Sequence, residues 1–137
     1  MKIDRRTLLK TALVASPMLV ASRVLGLDGE TPPSETVRFG VVGLGGRGTY
    51  IASTLQTAKD CQLVAVSDIF QPRLDSYLKD RSDWLKPYDD FRKMIETEKL
   101  DAVCCQTTTH QRAWVAMHAM LLGADIYLEK PMALTIK

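Results

Sequence analysis

Residues 37–42, Val-Arg-Phe-Gly-Val-Val, lead directly into Gly43-Leu44-Gly45-Gly46-Arg47-Gly48, which sets glycines at 43, 45 and 48 in the spacing G-x-G-x-x-G. At a strand-to-helix turn this spacing suits a phosphate. The first glycine permits a sharp turn, the second lets backbone approach a diphosphate, and the third lets the helix pack close to its strand. A flexible glycine turn is the plain alternative. The next apolar run ends at Asp68, 20 residues beyond Gly48. A carboxylate at that distance can accept hydrogen bonds from the 2′- and 3′-hydroxyls of an adenosine ribose and repels a 2′-phosphate, which favours NAD over NADP. Arg47 and Arg73 could still pair with a phosphate, so NADP stays open. Asp68 could instead cap the following helix. A third candidate is Glu129-Lys130-Pro131, directly after the apolar triplet Ile126-Tyr127-Leu128. A lysine at the carboxyl end of a parallel strand sits where open α/β sheets bind ligands, and it could polarise or protonate an oxygen there. The alternative is an exposed turn in which Pro131 starts a helix.

The elements that must position these residues follow from periodicity. Apolar runs predict strands over 37–42, 62–67, 102–106 and 125–128, with a minor one near Tyr88. Helical spacing fills the gaps over 47–58, 72–79, 90–98 and 110–122, with Gly123 placed to end the last. In the first helix Ile51, Leu55 and Ala58 share a face, and in the last Trp114, Met117, Met120 and Leu121 predict a stripe turned to the core. Strands and helices that alternate in this way predict an α/β fold, a Rossmann-type doubly wound parallel sheet buried on both faces. His118 receives no role.

Residues 1–26 read as an address rather than as fold. Arg5-Arg6 precedes an apolar stretch of about a dozen residues, too short for the roughly 20 that a membrane-spanning helix needs, so no permanent anchor is expected. The pattern resembles a twin-arginine export signal, although Asp4 and Leu8 depart from its usual residues, and it implies export machinery as a partner and a periplasmic or otherwise exported product. Residues 27–36, with Pro32-Pro33-Ser34, read as a linker, and 37–137 as the binding domain. Five of the 18 basic residues and one of the 16 acidic ones lie in 1–26, which leaves 13 against 15. The basic balance thus belongs to the signal, and no nucleic-acid partner is expected. Cys61, Cys104 and Cys105 read as small buried residues, and no metal site is expected.

The glycine loop at 41–48, Ser67-Asp68, Tyr88-Asp89-Asp90-Phe91 and Glu129-Lys130-Pro131 together resemble the Gfo/Idh/MocA oxidoreductases over about residues 36–137. The resemblance implies that Lys130 contacts the nicotinamide ribose and substrate and assists hydride transfer to or from a sugar or polyol carbon, while Glu129 and Pro131 shape its turn. It implies that Thr107 faces the cofactor, that His110 matches a histidine position of the family, and that the full-length protein is a homo-oligomer. Many members carry Thr-Pro and one or two histidines where this chain reads Thr107-Thr108-Thr109-His110-Gln111-Arg112, so proline is missing and Arg112 replaces a histidine. The family continues into a second domain that supplies the substrate pocket and a catalytic histidine and aspartate. The 137 residues are therefore expected to be a nucleotide-binding half, incomplete at its carboxyl end and inactive alone, with an exposed edge beside 125–128. Relatives that use tightly held NAD to cleave glycosidic bonds share the signal and the Gly-Gly-Arg-Gly loop, which keeps a glycoside hydrolase as the alternative. A catalytically inactive nucleotide-binding fragment is the other.

Overall fold

Runs of three to seven residues, apolar in all but the short β3, form the strands of the computed structural model, which describes residues 31–135; the expected export signal and the start of the expected linker lie outside them. In chain order the elements are β1 (Val37–Val42), α1 (Gly46–Leu55), β2 (Cys61–Ser67), α2 (Gln71–Leu78), β3 (Lys86–Tyr88), α3 (Phe91–Glu98), β4 (Ala102–Cys105), α4 (Thr109–Leu121) and β5 (Asp125–Leu128). The chain divides between Pro33 and Ser34, and each of these strands and helices belongs to the second unit.

All strand pairs are parallel, in the order β3-β2-β1-β4-β5. The path runs outward from β1 to β3, then returns to the other side of β1 to add β4 and β5. β1 and β4 are therefore neighbours from which the chain leaves in opposite directions, and a crevice opens above their carboxyl ends. Helices cover both faces, as expected for a doubly wound sheet. On one face Phe39, Val41, Leu63 and Val66 pack with Ile51 of α1 and Leu74 and Tyr77 of α2. On the other, Val42, Ala65, Val103 and Cys105 pack with Met94 and Ile95 of α3 and Val115 and Ala119 of α4. One irregularity lies between β1 and β2, where Phe39 pairs with Leu63 but Gly40 pairs with Ala65. Val64 is the extra residue of a bulge, so Val64 and Ala65 both join the second face.

Helix ends show where local chemistry prevailed over periodicity. α1 stops at Leu55, short of Ala58, because Thr57 and Ala58 donate to carbonyls only three residues back, at 3.1 Å each. α4 closes on Gly123 at φ 83°, with Gly123 N bonded to Met120 O at 3.1 Å and Ala124 N to Ala119 O at 3.0 Å, a Schellman closure. The expected core stripe of α4 is corrected by the structure. Trp114, Met117 and Met120 are about half exposed and Leu121 is 84% exposed, whereas Val115, Ala116 and Ala119 are buried. Small residues let the helix lie close to the sheet, and the larger apolar set occupies the opposite side. Cys104 and Cys105 are buried on opposite faces of the sheet, and burial pushes the Cys104 thiol up to about 12.

Asp90 caps α3. Its Oδ1 accepts from Arg92 N at 2.9 Å, and its Oδ2 lies 2.6 Å from the Arg92 guanidinium, which lowers the carboxyl to about 2. A depressed carboxyl stabilises the folded chain above its unfolded value of 3.8 and loses that contribution as pH falls towards 2. Asp90→Ala should cost about 0.5–2 kcal/mol in a urea titration at neutral pH. The difference from the unsubstituted protein should close as the titration is repeated at acid pH.

Candidate functional site

The glycine turn is built by backbone crowding. Gly43 lies at φ 94° and donates its N–H to Ser67 O at 2.8 Å; a Cβ there would come 2.9 Å from Gln106 O, on β4's exit. At Gly48 a Cβ would lie 1.8 Å from Gly43 O, so the helix leaves in contact with the turn that precedes it. Gly45 and Gly46 are different, because a Cβ at either meets nothing within 4 Å. Gly45 is the N-cap of α1, and the first helical bond runs from Thr49 N to Gly45 O at 3.0 Å. The amides of Gly46, Arg47 and Gly48 therefore have no helical acceptor, and the space beside Gly45 and Gly46 is open, which is the arrangement that a diphosphate requires.

Asp68 stands beside this turn and is 8% exposed. Its Oδ2 accepts from Leu44 N at 2.8 Å and its Oδ1 from Phe70 N at 2.9 Å. It does not cap α2, whose N-cap is Phe70, so that alternative is not realised. The two amides fix the carboxylate against the glycine loop, and each oxygen keeps a further lone pair as an acceptor. Arg73 lies 3.9 Å from Asp68 Oδ2 and over the Phe70 ring. A cation is thus available beside this carboxylate.

Three exit loops are tied together by two arginines. From the first turn of α1, Arg47 donates through Nε at 2.8 Å and Nη2 at 2.7 Å to Glu129 Oε1, beyond β5. The bond from Arg47 holds the Glu129 carboxyl below the ordinary carboxylate range and outweighs the opposing effect of burial. From α4, Arg112 donates through Nε to Thr107 O at 3.0 Å and through Nη1 to Lys130 O at 2.6 Å and Pro131 O at 2.9 Å. Lys130 itself is exposed, and no helix starts at Pro131 within the described residues. Thr107 Oγ1 lies 3.4 Å from Cys105 Sγ. The N-cap of α4 is Thr108. His110 is exposed in the first turn of that helix, and among the described residues no hydrogen bond joins it to the rest of the site. The structure thus brings the glycine loop, Asp68, Thr107, Glu129, Lys130 and Pro131 to one edge of the sheet and leaves His110 at its margin.

Two residues of this edge carry no role that the sequence alone assigns. Arg112 is visible there only as a departure from a histidine. Gln106, between Cys105 and Thr107, has both side-chain polar atoms buried without a hydrogen-bond partner in the protein. Its signal is a polar residue closing an apolar run.

A parallel sheet that reverses at β1, with a helix opening on glycines at that point, defines a dinucleotide-binding Rossmann domain. The chain belongs to the Gfo/Idh/MocA oxidoreductase family, an oxidoreductase family with an NAD-binding Rossmann fold, whose pattern matches residues 37–137. It is 34% identical over 102 residues to myo-inositol 2-dehydrogenase of Thermotoga maritima, covering 73% of this chain and 30% of that protein. A glycosyl hydrolase family 109 protein of Porphyromonas gingivalis is 29% identical over 115 residues, covering 78% and 25%. The crystal structure of scyllo-inositol dehydrogenase from Lactobacillus casei with bound NAD(H) and scyllo-inositol matches with a TM-score of 0.68 at 26% identity, over 74% of this chain and 30% of that one. The chain thus spans 25–30% of the length of these relatives.

Proposed function

We propose that this NAD-binding domain is the amino-terminal part of an exported NAD(P)-dependent oxidoreductase that moves a hydride between a sugar or polyol carbon and a nicotinamide ring. The observation that carries the reading is the meeting of an open glycine cradle, Asp68 and Lys130 at one sheet edge. When bound, the dinucleotide supplies the hydride acceptor or donor. The chain's own residues divide the remaining work. The amides of 46–48 hold the diphosphate, Asp68 accepts from the adenosine ribose, and the Lys130 ammonium polarises the substrate oxygen and protonates it in the reducing direction, the neutral amine taking that proton back in the oxidising direction. The inositol dehydrogenases among the relatives support a polyol substrate, and Arg5-Arg6 ahead of an apolar stretch supports export.

Calorimetry on the full-length protein should show NAD bound more tightly than NADP, and cell fractionation should find the protein outside the cytoplasm. Absence of binding by either dinucleotide would remove the reading. The second reading, NAD-dependent glycoside hydrolysis, is favoured by the family 109 relative, whose match covers more of this chain than the inositol dehydrogenase match does. Product analysis separates the two. Net reduction of added NAD by a polyol marks a dehydrogenase, and sugar release without net cofactor turnover marks the hydrolase.

A further inference from the structure

We propose that Arg112 is the positioning residue that sets Lys130 against the nicotinamide end of the crevice, an inference that rests on the dinucleotide reading above. The turn at 129–131 follows an edge strand of the described sheet and leads into no further helix or strand through residue 135. Among the described residues, backbone pairing therefore does not fix where the lysine stands. Arg112 supplies what pairing does not, because one guanidinium reaches Lys130 O at 2.6 Å, Pro131 O at 2.9 Å and Thr107 O at 3.0 Å. The group is planar and permanently charged, so the three carbonyls are held in a fixed relation. Its helix is in turn seated on the sheet through Val115, Ala116 and Ala119.

On the other flank Arg47 holds Glu129 at 2.7 Å. Residues 129 and 131 are thus pinned from α1 and α4, and the Lys130 carbonyl between them is fixed as well. The same guanidinium references this turn to the β4 exit loop, whose Thr107 carbonyl it also holds. A histidine ring could not span three carbonyls on two loops. The departure at position 112 is therefore a change in how the lysine turn is anchored.

The test compares two ligands on the full-length protein. ADP fills the diphosphate and adenosine end alone, and NADH also reaches the lysine turn. For Arg112→Ala, ADP affinity should stay within about twofold of the unsubstituted protein. NADH affinity should fall about tenfold, because the turn must be ordered anew on binding. The fluorescence change of NADH on binding should shrink with it. Arg112→Lys, which keeps charge but not the fork, should show the same split to a smaller degree and decides the matter if the alanine variant does not fold. A parallel loss of ADP and NADH affinity would mean that Arg112 only supports the fold, and unchanged NADH affinity and fluorescence would mean that it positions nothing; either overturns the proposal. Failure of the unsubstituted protein to bind ADP and NADH would instead strike at the dinucleotide reading itself.

Discussion

Gly48→Ala should destabilise the chain by about 3 kcal/mol or more, read as a shift of the urea midpoint. The added methyl would sit 1.8 Å from the carbonyl oxygen of Gly43 and 2.9 Å from its carbon. Those atoms belong to backbone, so no side-chain rotation relieves the overlap. Relief requires α1 to move away from the β1 turn, and that opens the packing of Ile51 and Ala52 beneath it. Gly45→Val is the matching control. Its Cβ meets nothing within 4 Å, and its φ of −67° suits any residue, so the variant should fold with a midpoint near that of the unsubstituted protein. It should nevertheless lose NAD affinity about 10²-fold or more, since the new side chain occupies the space that the diphosphate needs. Equal NAD affinity in Gly45→Val and the unsubstituted protein would mean that the glycine loop is not the diphosphate seat.

The second large effect concerns chemistry rather than stability. In the full-length protein Lys130→Met should lower kcat for polyol oxidation about 10²–10⁴-fold, the range expected when a positioned acid–base group is removed. NAD affinity should change far less, because the cradle and Asp68 are untouched. Methionine keeps an unbranched stem of similar length, and the backbone bond from Lys130 O to Arg112 does not depend on the side chain. Steady-state turnover alongside calorimetry separates the two quantities. A variant that keeps kcat within a few-fold would show that Lys130 is only a solvated residue of the turn.

Much of this fold is local and could be read along the chain. The glycine turn at 43–48, the passage from β2 into Asp68 and the alternation of strands with helices each depend on neighbours in sequence, and the elements lie within three residues of the spans that periodicity predicts. What periodicity could not supply is which side of a helix meets the sheet. Two apolar sides ran along α4, and spacing favoured Trp114, Met117, Met120 and Leu121, whereas close approach selected Val115, Ala116 and Ala119. The cross-links of the site were hidden for a different reason. Arg47 and Glu129 are 82 residues apart, and Arg112 binds main-chain carbonyls, which carry no residue signature. Lys130 was legible as chemistry, but the group that holds its turn was not. The buried amide of Gln106 was likewise invisible, since only the fold brings it beneath the start of α1.

The strand order also governs when a nascent chain can first capture its nucleotide. β1 meets β2 soon after both are made, yet Phe39 pairs with Ala102, 63 positions further along, so a long loop must close first. Until that pairing forms, the glycine turn and Asp68 exist with no opposite wall. A ribosome stalled before β4 would display the glycine turn and the acid without the β4 exit that packs against Gly43, so the crevice above these strands forms only once β4 has joined β1.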